Sequence, residues 1–276
     1  MLFIHRIRYL HESAMAEEFR VLRPFEYHCH LISKKQRADG RGLDNSREVR
    51  LETDAITTAD ASSLVKLGNT SLICGCKARL LPDKDQAEPE DRIKLRIELP
   101  PICSSPIGRH TQNTEQLLTK ALKDILDDTN CIDERDLILP SIKSYWSLEV
   151  EVICLNYDGS LLDAALIAVL SALRSIKFKN DTMSDDIISS SIHLNSLPIC
   201  TSFAVIGGHT ICDPNLEEES IAQSSFSITV DPTQSSSWHI RKVGGQALGV
   251  TELERCMDIA KQRADKLQSL LQSIES

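Results

Sequence analysis

Apolar and polar residues change period several times along this chain, and each change marks an element. Ser63–Leu67 and Ser71–Leu80 are β-rich runs separated by Gly68-Asn69, a pair suited to a tight hairpin turn. Ile93–Leu99 alternates apolar with charged residues, as a strand with one face in solvent does. The period then lengthens: Leu117, Leu118, Ala121, Leu122, Ile125 and Leu126 fall on one helical stripe. Trp146–Leu155 returns to alternation, with Leu148, Val150 and Val152 opposite Glu149 and Glu151. Leu161–Leu173 is apolar nearly all round, which predicts a helix buried on every side. Ser202–Ile206 and Phe226–Val230 read as further strands. Thr251-Glu252-Leu253-Glu254 has capping-box spacing. After it, Leu253, Met257, Ala260, Ala264, Leu267, Leu271 and Ile274 form a narrow seam along a long C-terminal helix. The expected class is mixed α/β (α+β), with mostly antiparallel sheets and packed helices.

Composition narrows the function. The 276 residues carry 26% charged and 41% hydrophobic side chains, enough to bury a large core without disulfides or metal. Against 31 Lys+Arg stand 40 Asp+Glu, a net charge of −9. That balance argues against a self-sufficient nucleic-acid clamp, although it permits a local basic strip. Aromatics at 4% argue against base stacking on Phe or Tyr platforms. The nine cysteines form no Cys-x-x-Cys pair and read as small buried hydrophobes of a reducing compartment. His28-Cys29-His30 is set aside as a metal site, because neighbours on a helix point in different directions. No metal and no cofactor is expected. Leu161–Leu173, interrupted by Asp163 and Ser171, falls short of the ~20 residues of a bilayer crossing, so no membrane partner is expected. Residues 1–14 are expected to be an extension outside the fold, and residues 15–276 a single domain. The charged segment Pro82–Arg92 and the polar segment Lys177–Asp186 are loops too short for interdomain linkers.

Common signatures of nucleotide binding and hydrolysis are missing. Gly244-Gly245 with Gly249 reads as a strand-to-helix turn rather than an anion site. The run Glu217-Glu218-Glu219 reads as a solvated face. One cluster stands apart: Arg37-Ala38-Asp39-Gly40-Arg41, then Arg47 and Arg50. Around an Asp-Gly turn such charges build a salt-bridged network or contact phosphate, and the residues alone leave both readings open.

That cluster, with Leu64–Thr70 and the strand after it, resembles the start of the RNase PH family. Asn156-Tyr157-Asp158-Gly159 leading to Asp163-Ala164-Ala165, and Cys212-Asp213-Pro214-Asn215 leading to Glu217–Glu219, are similar to its later motifs. Pro100–Ser105, Thr201–Val205 and Lys242–Gly245 are most similar to a ring subunit of the eukaryotic RNA exosome. The resemblance implies an RNase PH-like domain that pairs with other RNase PH-like ring subunits and with cap subunits. It implies a channel for single-stranded RNA, and residence in nucleus, nucleolus and cytoplasm. Arg37, Asp39, Gly40, Arg41 and Arg47 are then the family's structural motif.

Catalytic relatives continue the Asp-Gly turn as Gly-Ser/Thr-Arg, whose amide, hydroxyl and guanidinium hold phosphate. This chain reads Asp158-Gly159-Ser160-Leu161-Leu162, and leucine at both side-chain positions cannot bind an anion. The acid that relatives carry about a dozen residues beyond the Asp-Pro motif falls here at Ser224-Ser225. Where relatives have an arginine-rich RNA grip there is only Arg109; Arg79 is the other candidate for the channel wall. The resemblance therefore implies a non-catalytic subunit supporting 3′-to-5′ processing of rRNA and turnover of mRNA, with Leu161, Leu162 and Ser225 as degenerate positions. The alternatives are an active phosphate-dependent exoribonuclease and an autonomous RNA-binding module.

Overall fold

The computed structural model describes residues 17–82, 92–103, 111–133, 137–139, 144–176, 192–232, 238–242 and 244–272. The expected extension at 1–14, Arg109, Ile274 and most of both expected loops lie outside these residues.

Gly68 takes φ +58°, and with Asn69 it turns strand β2 (Ala61–Leu67) into β3 (Thr70–Pro82) with Leu67 opposite Thr70. Around this hairpin the chain adds β1 (Val49–Thr53), β4 (Ile93–Glu98), β5 (Ile138–Leu139) and β6 (Ser144–Asn156). The sheet runs β1-β2-β3-β6-β4, with β5 paired to β6. All its pairs are antiparallel except β4–β6. Helix α1 (Pro24–Ser33) precedes this sheet; α2 (Thr111–Asp128) makes the crossover that the parallel pair requires and packs on β4. A second, antiparallel sheet orders β10-β9-β7-β8, from β7 (Ile199–Ile206), β8 (His209–Cys212), β9 (Ser224–Val230) and β10 (Trp238–Lys242).

Helix α3 (Leu161–Ser175) lies between the sheets, touching β1, β2 and β3 on one side and β7 on the other. Every residue from Leu161 to Leu173 is buried, as an all-round apolar pattern requires. The short helix α4 (Leu216–Ile221) follows β8, and the long α5 (Val250–Gln272) packs on β7 and β9. One continuous cluster of buried side chains joins both sheets with α2, α3 and α5. Eight of the nine cysteines are buried within the protein, and burial pushes the Cys76 and Cys131 thiols up to about 12. His28 is buried, Cys29 half-buried and His30 exposed.

Three expectations need correction. Leu117 is 58% exposed, so the α2 stripe is carried by Ala121, Leu122, Ile125 and Leu126 with Leu118 at its edge. Thr251 is the second residue of α5; the Gly249 carbonyl takes the first bond, from Leu253 N, so Thr251 is past the capping position. The capping box belongs instead to α4, where Asn215 Oδ1 accepts from Glu218 N and Glu218 Oε2 accepts from Asn215 N, both at 2.9 Å. Hence the acidic run is no solvated face. Glu217 is exposed, but Glu218 is buried and Glu219 half-buried.

Candidate functional site: an arginine lock beside a helix N-terminus

Asp213 directly follows β8 in a left-handed conformation, φ +50°, with its side chain buried in the interior. Asx side chains tolerate that conformation better than most. The Arg47 backbone N–H and Nε both donate to Oδ2, at 2.6 and 3.0 Å, and Arg47 Nη2 donates to Oδ1 at 2.7 Å. Arg41 Nη1 adds a bond to Oδ2 at 3.2 Å, and Arg41 is itself held by Asp39 at 2.6 Å. Arg37, buried, donates to Glu218, to the Cys212 carbonyl at 2.7 Å and to the Asp213 carbonyl at 2.9 Å. Burial pushes the Asp213 carboxyl up, but its hydrogen bonds from Arg47 and the charges of Arg263 and Arg47 outweigh that and hold it well below the usual carboxylate range. Gly40, φ +83°, closes the turn that lets Arg37 and Arg41 both donate to the Asp213 carbonyl. Residues far apart in sequence, 37–47 and 212–218, are thus locked together.

The lock reaches a third segment. Arg47 Nη1 donates to the Asp158 carbonyl at 2.5 Å, and Thr70 Oγ1 donates to the Gly159 carbonyl at 2.8 Å. Gly159 has φ +80°, and a Cβ there would lie 2.4 Å from the Pro214 carbonyl oxygen. Only glycine fits. Ser160 follows, left-handed at φ +49°, as the N-cap residue of α3. Its hydroxyl donates to the Pro214 carbonyl at 3.0 Å, so it caps nothing. Its amide N–H donates to Glu219 Oε1 at 2.7 Å, and the Tyr157 hydroxyl donates to Glu219 Oε2 at 2.7 Å. One turn into α3, buried Asp163 accepts from Arg263 Nη1 at 2.6 Å and from the Ser202 hydroxyl and amide at 2.6 and 2.9 Å.

Between the start of α3 and the second sheet lies a cleft of about 180 Å³. Leu161, Leu162, Phe203 and Phe226 supply apolar walls; Tyr157, Glu219, Ser225 and Arg241 supply polar ones. The two Phe rings stack at 5.2 Å. Leu161, Leu162 and Ser225, separated by over sixty residues, therefore meet in one place. Gly245, φ +77°, turns against Ser224, so close that a Cβ would sit 2.6 Å from the serine Cβ. Arg79 is elsewhere: it is 61% exposed on β3 and bridges to Glu149 at 3.0 Å. Sequence reasoning placed Tyr157 and Glu219 in motifs but gave neither a part in the cleft, and it missed Arg241 and Arg263; the apolar frame of the last helix gave no hint that Arg263 is buried.

Comparison with known proteins places this arrangement. Residues 45–179 match the first domain, and residues 196–263 the second domain, of RNase PH, described as the 3′ exoribonuclease family. The chain belongs to the RNase PH family. Exosome complex component rrp43 of Schizosaccharomyces pombe is 27% identical over 254 residues, covering 89% of this chain and 94% of that protein. Exosome complex component Rrp42 of Methanosarcina acetivorans is 28% identical over 248 residues, covering 89% and 92%. Among solved structures, a chain of the Archaeoglobus fulgidus exosome with RNA bound to the active site superposes with a TM-score of 0.76 at 25% identity, covering 93% of this chain and 98% of that one. In this RNase PH chain the two matched regions meet at the lock: Arg47 and Asp158 come from the first, Asp213 from the second.

Proposed function

We propose that this chain is a non-catalytic, RNase PH-like subunit of an exosome core ring. Residues 15–276 form its single working domain and residues 1–14 an extension. It pairs with other RNase PH-like ring subunits, receives cap subunits and surrounds a channel for single-stranded RNA. In that assembly it supports 3′-to-5′ rRNA maturation and mRNA turnover in nucleus, nucleolus and cytoplasm.

The observation that carries the reading is the convergence of Leu161, Leu162 and Ser225 on one cleft. Phosphorolysis brings an anion to an anionic backbone, so it needs cations and donors where charge accumulates. Leucine supplies neither, and a serine hydroxyl is a poor proton donor compared with a carboxylic acid. Similarity to exosome components over most of their lengths supports the assembly role. Arg37, Asp39, Gly40, Arg41 and Arg47 then serve the fold, consistent with their bonds to Asp213 and Glu218. Arg79 contributes a weak cation to the RNA path, paired on the surface with Glu149; Arg109 is the second such candidate.

The test is incubation of the purified chain, alone and in its assembled ring, with end-labelled RNA and inorganic phosphate. The expected result is no nucleoside diphosphate traceable to this chain. Release that disappears when Ser225 or Asp158 is replaced would make it the active phosphorolytic exoribonuclease. Tight, steeply salt-dependent RNA binding by the lone chain would make it an RNA-binding module instead.

A further inference from the structure

We propose that Glu219 is a built-in anion, whose carboxylate fills the oxyanion seat at the N-terminus of α3 and keeps external phosphate out. The inference rests on reading this cleft as the counterpart of a phosphate site. Two donors from separate positions, the Ser160 amide and the Tyr157 hydroxyl, converge on its two oxygens at 2.7 Å each. The left-handed Ser160 turns its N–H toward the cleft, and its own hydroxyl is spent on Pro214. The positive end of a 15-residue helix stands behind that amide.

Glu219 is not needed where it originates. The capping box of α4 uses Asn215 and Glu218, and Glu218 also holds Arg37; Glu217 holds Arg20 at 2.9 Å. The third glutamate of the run is directed away from its own helix, onto another segment. Burial and the Asp163 charge push its carboxyl up, while Tyr157, the Ser160 amide and Arg47 oppose that rise. The Tyr157 phenol is pushed above its ordinary range by burial and by Glu219, so it remains a donor at any working pH. A carboxylate and a phosphate oxygen compete for the same two donors, and like charges cannot share them. Arg241 lines the cleft, so a seat vacated by Glu219 would have a cation nearby.

Titration of inorganic phosphate into the full-length chain, followed by ³¹P NMR, tests this. The wild type is expected to show no saturable binding, whereas Glu219→Ala, which vacates the seat, gains about tenfold or more in phosphate affinity and Glu219→Gln, which removes only the charge, gains less. The isosteric glutamine variant serves should the alanine variant unfold, and thermal unfolding reports which is folded. Glu217→Gln removes the same charge two residues away and is expected to gain nothing. Folded Glu219 variants that gain no affinity overturn the proposal. So does an equal gain in Glu217→Gln, or a wild type that binds phosphate as tightly as the variants. Assaying the same samples for nucleoside diphosphate release separates the two readings: release by wild type sinks the non-catalytic assignment, while inert wild type with unresponsive variants sinks only the role of Glu219.

Discussion

Replacing Asp213 by Asn tests whether the arginine lock holds the two sheets together. The substitution keeps size and suits the left-handed backbone at φ +50°, so the change is confined to the charge and to one acceptor oxygen. In the wild type the carboxylate is fully buried and accepts three bonds from Arg47 and one from Arg41. Asparagine offers one oxygen, and its amide N–H groups face guanidinium donors that cannot accept. Arg47 loses its nearest counter-ion and Arg41 one of its two, in a largely buried place. Breaking a buried pair from one side costs about 3–5 kcal/mol. At about 2–4 °C per kcal/mol for a protein of this size, the midpoint of thermal unfolding should fall by roughly 6–20 °C.

The same argument fixes a pH dependence. The folded-state pKa of Asp213 is depressed, so its contribution is present above the unfolded value and lost as pH falls through the folded one. Wild-type stability should therefore decline as pH drops below about 4, the unfolded aspartate value. Asp213→Asn should be less stable at neutral pH and should lack that component of the decline. Urea unfolding followed by circular dichroism at several pH values measures both. A loss under about 1 kcal/mol at neutral pH, or parallel acid profiles for the two proteins, would refute the lock.

Two further predictions use the same structure. Gly159→Ala places a Cβ 2.4 Å from the Pro214 oxygen at a positive φ; we expect more than about 3 kcal/mol of destabilisation in a urea melt, and an effect below about 1 kcal/mol would mean that the turn relaxes freely. Of nine cysteines only Cys29 is partly exposed, so a thiol reagent should label one residue in the native chain and nine in denaturant; rapid native labelling of several thiols would contradict the buried assignment.

Much of the fold was legible in periodicity because its signals are local. The Gly68-Asn69 hairpin, the alternation of β6 and the all-apolar α3 each report their surroundings through adjacent residues. The parallel β4–β6 pair was not legible, because a crossover through α2 leaves no mark on either strand. Charged residues misled most. Glu218, Glu219 and Arg263 look solvent-facing by type, yet each is drawn inward by a partner between about 60 and 180 positions away. The candidate site was legible by resemblance at Leu161, Leu162 and Ser225, but no pattern brings Tyr157 or Arg241 to it. Only the folded chain does.

The lock and the cleft share a single turn, and that bears on how an activity is inferred from kinship. Arg47, Thr70, Gly159 and Asp213 hold the Asp158-Gly159 turn from outside, through backbone carbonyls and a buried carboxylate. None of these contacts involves the side chains of Leu161 or Leu162. The lock can therefore persist while the cleft beside it changes from polar to apolar, since leucines at the start of α3 join a core that is already apolar. The recognisable motifs of this chain are mostly the lock. Their presence reports that two sheets are joined around α3, whereas under the proposed function catalysis would depend on the few side chains that line the cleft. The family match is thus strong evidence for the scaffold and weak evidence for phosphorolysis, and the cleft residues are the ones to vary when the two are to be told apart.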